Sequence, residues 1–187
     1  MGRVRSLFAL FVLALVLTTA GLAHATVVVP LSVEQQVAQA DLVVRARVVA
    51  MQSAFVPERG AILTYTELSV TDVMKGQAPA TLVLRQMGGT ADGQTMLVPG
   101  DAHLTTGDDV ILFLRRDPSG GDNVFLLSLA QSAWFVSGQR ASRDLSQLTF
   151  AVLGGPAGTQ LSEPGREASV DVAELVAEIR SLVGGAR

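Results

Sequence analysis

The stretch Leu42-Val43-Val44-Arg45-Ala46-Arg47-Val48 decides the fold. Apolar residues occupy positions 42, 44, 46 and 48, whereas Arg45 and Arg47 lie between them on the opposite face. A period of two is typical of a β-strand, because successive side chains point to opposite faces of a sheet. The pattern therefore predicts a half-buried strand with its apolar face in the core and its arginine face outside.

A short helix is predicted immediately before this strand. Ser32 lies three residues before Gln35, which is the signature of a capping box, and Val37 continues an apolar helical face. We expect this helix to run from Val33 to Ala40.

The segments after this strand predict a mainly β domain. They are rich in β-branched and apolar residues and are separated by turns that contain glycine or proline. They cover residues 62–73, 81–87, 96–98, 109–114, 124–129 and 133–136. The run at 109–114 is almost entirely apolar, which predicts a strand buried on both faces. About six or seven short strands at this spacing favour a barrel or a sandwich.

The end of the chain predicts a loop followed by a helix. Residues 154–169 are rich in glycine and proline without periodicity, which indicates a surface loop or linker. Apolar residues then recur at helical spacing within 170–187, opened by Asp171 with Glu174 three residues later. We expect this amphipathic helix to pack on the barrel domain, which we assign to residues 26–153.

The first 25 residues have the features of a removable signal peptide. Arg3 and Arg5 precede an apolar run from Leu7 to Leu17, and Ala23-His24-Ala25 offers small residues at the cleavage positions. This run is too short to cross a membrane, for which about 20 residues are needed. We therefore expect a mature chain that begins at Thr26, is secreted or periplasmic, and has no membrane anchor.

Composition argues against several classes of function. Removal of Arg3 and Arg5 would move the net charge from -3 to -5, and Lys75 is the only lysine. Nucleic-acid binding is not expected, because it requires clustered basic side chains that neutralise phosphates. The chain has no cysteine, so neither a disulfide scaffold nor thiol chemistry is available.

Few residues after the leader could carry out catalysis. His103 is the only histidine there, and no Gly-x-Ser-x-Gly motif is present to hold a nucleophilic serine. The acids at 101–109 and 117–123 lack the spacing of a calcium-binding loop, and Asp and Asn are common in turns. We therefore expect no enzymatic activity, no cofactor and no metal site.

Four residues are candidates for ligand binding: Thr26, Arg45, Arg47 and Trp134. The two arginines could grip a carboxylate together, although an exposed sheet face, with long side chains that cover their neighbours, is the favoured explanation. Trp134 forms the sole Trp-Phe pair with Phe135, and core packing is the alternative explanation for it. Thr26 is the predicted new amino terminus, where we expect little ordered geometry.

Several short motifs resemble a known barrel family between Val37 and Leu114. They are the helix-then-strand sequence Ala38 to Ala46, the Tyr65 strand ending in Val73-Met74-Lys75-Gly76, and Gly107 leading into Val110-Ile111-Leu112-Phe113-Leu114. This pattern resembles the netrin-like, OB-type barrel of tissue inhibitors of metalloproteinases. It is also similar to uncharacterised exported bacterial proteins, in which the Gly88-Gly89 turn and the Leu129-Ala130-Gln131 step match as well. With the helical patterns at the two ends, the resemblance predicts a mostly β fold: an OB-like β-barrel with a short N-terminal helix and a C-terminal amphipathic helix.

The resemblance does not extend to the inhibitory group of that family. Its members present an amino-terminal cysteine to the zinc of a protease, whereas Thr26 stands at that position here. Our leading hypothesis is a non-enzymatic exported binding or accessory module of unknown ligand, with a co-exported protein such as a protease as its partner. The alternatives are an inhibitor or regulatory partner of an exported metalloprotease, and a hydrolase that uses two carboxylates.

Cleavage of the leader is directly testable. The intact mass of the exported protein should equal that of residues 26–187, because Ala23 and Ala25 are small enough for the pockets that flank a cleaved bond. Mass spectrometry of the purified protein measures this, and a retained leader would contradict the predicted location.

Overall fold

A computed structural model describes residues 26–155, 158–164 and 169–185. The predicted signal peptide, residues 1–25, lies outside the described residues. The described part is mostly β-strand, with two α-helices and two 3₁₀ turns, at Pro57–Arg59 and Leu129–Ser132.

The strands and helices are labelled in chain order. The strands are β1 Thr26–Val28, β2 Leu42–Val56, β3 Ala61–Lys75, β4 Thr81–Met87, β5 Gly89–Ala91, β6 Gln94–Met96, β7 Asp109–Arg116, β8 Asn123–Leu126, β9 Ala133–Ser137, β10 Arg140–Ser142, β11 Leu148–Gly155, β12 Gly158–Ser162 and β13 Val170–Asp171. The helices are α1 Val33–Gln39 and α2 Val172–Gly185.

Five strands of the main sheet form a barrel. The order β7-β2-β3-β4-β8 is antiparallel up to β4, and β8 then pairs with β4 on one side and with β7 on the other. Closure between β4 and β8 is partial, since only Val83 and Leu84 pair there, with Asn123 and Val124. The predicted OB-like β-barrel, with a short helix before it and an amphipathic helix at the C-terminal end, is confirmed.

The barrel interior follows the alternation of the deciding strand. Leu42, Val44, Ala46 and Val48 are all buried, in one cluster with Leu68 of β3, Leu84 of β4 and Leu112 of β7. Burial of apolar surface contributes about 25 cal/mol per Å², so this shared face stabilises the barrel directly. The predicted inward face of β2 is confirmed.

The outward faces of β2 and β7 are both buried where the helices dock, as predicted for β7 but not for β2. Val43 of β2 and Ile111 and Phe113 of β7 point away from the barrel interior, yet each has no exposed surface. They lie beneath α1 and α2, which contribute Val37 and Ile179 to a second core cluster. The expectation that this face of β2 lies outside is therefore wrong at Val43, because a docked helix covers it.

Local signals place α1 as the sequence indicated. Gln35 N–H donates to Ser32 Oγ at 3.2 Å, and Ser32 N–H donates to Gln35 Oε1 at 2.9 Å, which completes the capping box. At the other end, Lys75 Nζ donates to the carbonyl oxygens of Val37 and Ala40 at 2.6 and 2.7 Å. Thus the single lysine of the chain neutralises the last turn of α1.

The Gly/Pro-rich stretch at 154–169 contains a strand that the sequence did not predict. Strand β12 pairs antiparallel with β11, and β11 pairs in parallel with β1, giving a three-stranded sheet. The side chains of residues 159–162 are all exposed, so the strand carries no apolar alternation. Backbone pairing with a neighbouring strand, which leaves no trace in the local sequence, forms β12.

Helix α2 should contribute measurably to stability. Ile179 is completely buried against the outward face of the barrel, so Ile179→Ala leaves a cavity and should lower the free energy of unfolding by about 2–5 kcal/mol. Urea denaturation measures this change. The control is Ser181→Ala, an exposed position of the same helix, and equal unfolding midpoints for both variants would contradict the docking of α2.

Candidate binding cleft beside the C-terminal helix

Thr26 is held in place by its own chain. It begins β1, where it pairs with Leu148 of β11, and its hydroxyl donates to the carbonyl oxygen of Pro99 at 2.5 Å. The expectation of little ordered geometry at this residue is therefore wrong. The parallel pairing of β1 with β11 joins residues more than a hundred positions apart, which no local pattern could indicate.

Arg45 and Arg47 line one pocket of about 310 Å³, together with Asp72 and Asp109. Arg45 makes a forked ion pair with Asp109, with Nε and Nη2 at 3.0 and 2.6 Å from the two carboxylate oxygens. This hydrogen bonding raises the pKa of Arg45 above its usual value. Arg47 is exposed and donates from Nη1 to the carbonyl oxygen of Gly107 at 3.0 Å. Each guanidinium thus has its own partner within the protein.

Trp134 lies in a different place, at the wall of a cleft of about 590 Å³. The segment 30–33 forms one side of this cleft, and α2 forms the opposite side through Leu175 and two glutamates. Leu145 and Phe150 add apolar surface. Clefts of this volume with mainly apolar walls are typical of small-ligand sites. Of the four predicted residues, Trp134 alone lies here.

The indole of Trp134 has an unsatisfied donor. The side chain is 2% exposed, and its Nε1 finds no hydrogen-bond acceptor within the described part of the chain. A buried N–H without a partner costs about 1–3 kcal/mol, so most such groups are paired in folded proteins. The guanidinium of Arg143 lies over the ring at 4.2 Å from its centroid and donates to the carbonyl oxygen of Gln131 at 2.8 Å.

Gln131 connects the cleft to the N-terminal segment. Its side chain is 1% exposed; Oε1 accepts from Leu31 N–H at 2.9 Å, and Nε2 donates to Val29 O at 3.2 Å. The amide thus pairs with the backbone of 29–31 as a neighbouring strand would. The turn that carries it begins at Leu129 with φ +48°, a left-handed conformation that is strained for leucine.

The rim of the cleft is acidic. Glu174 and Glu178 lie one turn apart on the same side of α2, and both are exposed. Asp171 fixes the start of the helix, since its Oδ1 accepts from the N–H groups of Ala173 and Glu174 at 2.8 and 3.2 Å. A ligand in the cleft would meet two negative charges, from Glu174 and Glu178, and one positive charge, from the mostly buried Arg143, which also lines the cleft.

Sequence reasoning missed most of this site. Gln131 belongs to the Leu129-Ala130-Gln131 step, which resembles the exported bacterial proteins, but the sequence did not predict its contact with residues 29–31. Nothing local to Arg143 marks it, because its neighbour Trp134 lies on another strand and the two meet only through the β9–β10 hairpin.

The described residues show neither a metal-ligating cluster of His, Asp and Glu side chains nor a membrane-spanning helix. Within residues 26–155, 158–164 and 169–185, no three His, Asp or Glu side chains come together as a metal site. None of the helices in this part of the chain has the length and apolar character to span a membrane.

Comparison with known proteins gives no further assignment. No protein-family model and no curated protein matches this chain. The cleft is therefore interpreted from its own chemistry.

The role of Gln131 gives a stability prediction. Gln131→Leu keeps the side-chain volume but leaves Leu31 N–H and Val29 O without a partner. This loss should lower the free energy of unfolding by about 1–3 kcal/mol. Hydrogen exchange at the Leu31 amide should accelerate more than exchange in the barrel strands. Gln139→Leu, at an exposed position, is the control and should change neither quantity. Unchanged Leu31 protection in the Gln131 variant would refute this role.

Proposed function

We propose that this protein is a non-enzymatic exported binding module whose recognition site is the cleft beside α2. The observation that carries the proposal is a largely apolar cleft lined by Trp134, whose buried Nε1 is a donor without a described acceptor. A ligand carbonyl or carboxylate oxygen would satisfy this donor after a shift of the side chains that cover Nε1 in the free protein. Recognition of this kind needs no catalytic group.

The chemistry of the walls defines the class of ligand. Leu145, Phe150 and Leu175 suit an aliphatic side chain, Trp134 Nε1 suits a carbonyl oxygen, and the glutamates on the rim suit a positive charge. An extended peptide that carries an apolar residue next to a basic one offers all three groups. We therefore infer that the partner is a segment of a co-exported protein.

A protease inhibitor that acts through its amino terminus ranks second. The structure supports this function better than the sequence did, because Thr26 is ordered in β1 and a rigid terminus loses less entropy on docking. However, the Thr26 hydroxyl is already bonded to Pro99 O, and the residue pairs with β11. The resemblance to the netrin-like barrel supports the scaffold in both proposals and does not choose between them.

The only tryptophan of the chain provides the measurement. Blocked dipeptides acetyl-Leu-Arg-amide and acetyl-Leu-Glu-amide are titrated while Trp134 emission is followed. The basic peptide should shift the emission and bind about three to ten times more tightly, since each exposed rim charge contributes up to about 1 kcal/mol.

Variants locate the binding. Glu174→Gln with Glu178→Gln should remove the preference for the basic peptide, whereas Glu58→Gln, on the exposed β2–β3 turn, should leave it unchanged. Trp134→Phe keeps an aromatic ring but lacks the donor, and should weaken binding of both peptides by calorimetry. Binding that leaves Trp134 emission and the glutamate variants unaffected would sink the proposal.

A further inference from the structure

Three methionines and a histidine line a second pocket, next to the β2–β3 hairpin. Met51, Met87, Met96 and His103 all line a pocket of about 160 Å³. They are three of the four methionines and the only histidine in the described part of the chain. The cleft beside α2 contains none of them, so this pocket is a second site that the proposed function does not use.

Four separate parts of the chain bring these residues together. Met51 lies in β2 opposite Thr66, Met87 ends β4, Met96 ends β6, and His103 lies in the loop before β7. The Gly88-Gly89 turn allows the close approach of β5 to the β2–β3 hairpin. A Cβ on Gly89 would lie 2.3 Å from Thr64 Oγ1, and one on Gly88 would lie 2.8 Å from Met96 O.

Core packing does not account for these methionines. Met87 is 51% exposed and Met51 is 38% exposed, whereas Met74, in the second core cluster, is only 6% exposed. A methionine that fills a gap in a core is buried, as Met74 is. Around the pocket, Met51, Met87 and His103 are exposed instead, and Met96 is half-buried.

The chemistry of the donor set selects a soft metal. Thioether sulfur and imidazole nitrogen favour Cu(I) and its analogue Ag(I), whereas carboxylate and carbonyl oxygen favour Mg²⁺ and Ca²⁺. The chain has no cysteine, so methionine sulfur and His103 are its softest ligands. Methionine has three rotatable bonds, which lets thioethers from separate strands converge on one ion.

We propose that Met51, Met87, Met96 and His103 bind one soft monovalent cation, Cu(I) or Ag(I). The site is distinct from the peptide cleft and would make the protein a carrier or sensor of that ion. Asp101 lies in the same pocket wall and accepts a hydrogen bond from Ala102 N–H at 2.8 Å, so a carboxyl group is present close to the positive charge.

The proposal is tested by titrating the intact mature chain with silver nitrate. NMR of ¹³C-labelled methionine methyl groups monitors the titration. The methyl signals of Met51, Met87 and Met96 should shift together and saturate at one equivalent of Ag(I), while that of Met74 should stay in place. Zn²⁺ should produce no comparable shift. Shifts of all four methyl groups, or saturation at several equivalents, would mean non-specific sulfur binding and overturn the site.

Substitutions provide an independent test with Cu(I), held by bicinchoninate as a competing chelator. Met51→Leu, Met87→Leu, Met96→Leu and His103→Gln should each weaken the affinity for Cu(I) about tenfold or more, because loss of even an outer-shell partner costs about 10–100-fold in metal affinity. Met74→Leu is the matched control. Leucine preserves size, so circular dichroism should confirm folding. Equal affinity in the triple leucine variant and the control would refute the proposal.

Discussion

The need to cover both faces of β7 and of the first part of β2 governs this structure. Their inward residues fill the barrel, but Val43, Ile111 and Phe113 place an equally apolar surface on the outside. Exposing that surface to water would be costly, so α1 and α2 are packed against it. The barrel alone is therefore incomplete, and the two helices belong to the same folding unit.

The cleft follows from this arrangement. Helix α2 covers the outward face, and its residues line the cleft together with the segment 30–33. Gln131 fixes one side by pairing with the backbone of 29–31, and Asp171 fixes the start of the helix on the other. The site thus lies between elements from the two ends of the described chain, where an unpaired indole donor can persist because rigid neighbours hold it.

The methionine pocket depends on a different constraint, the long β2–β3 hairpin. Both strands continue well past the barrel ring, and the Gly88-Gly89 turn lays β5 and β6 against the extension. In this extension Ile62, Leu63 and Thr66 of β3 are buried, whereas Met51 of β2 is 38% exposed at the pocket. The cleft and the methionine pocket share no lining residue; the first lies beside α2 and the second beside the β2–β3 hairpin.

The sequence by itself determined the elements whose cause is local. The alternation in β2, the apolar run of β7, the capping box of α1 and the helical spacing of α2 each act over a few residues, and the structure contains all of them. Only the tertiary structure decided what depends on distant partners. The outward face of β2 is buried by a helix far along the chain, β12 exists through pairing with β11, and Thr26 is ordered by β11 and Pro99. Likewise, Arg45 faces Asp109 and Trp134 meets Arg143 through strand pairing, which side-chain periodicity along one segment does not encode.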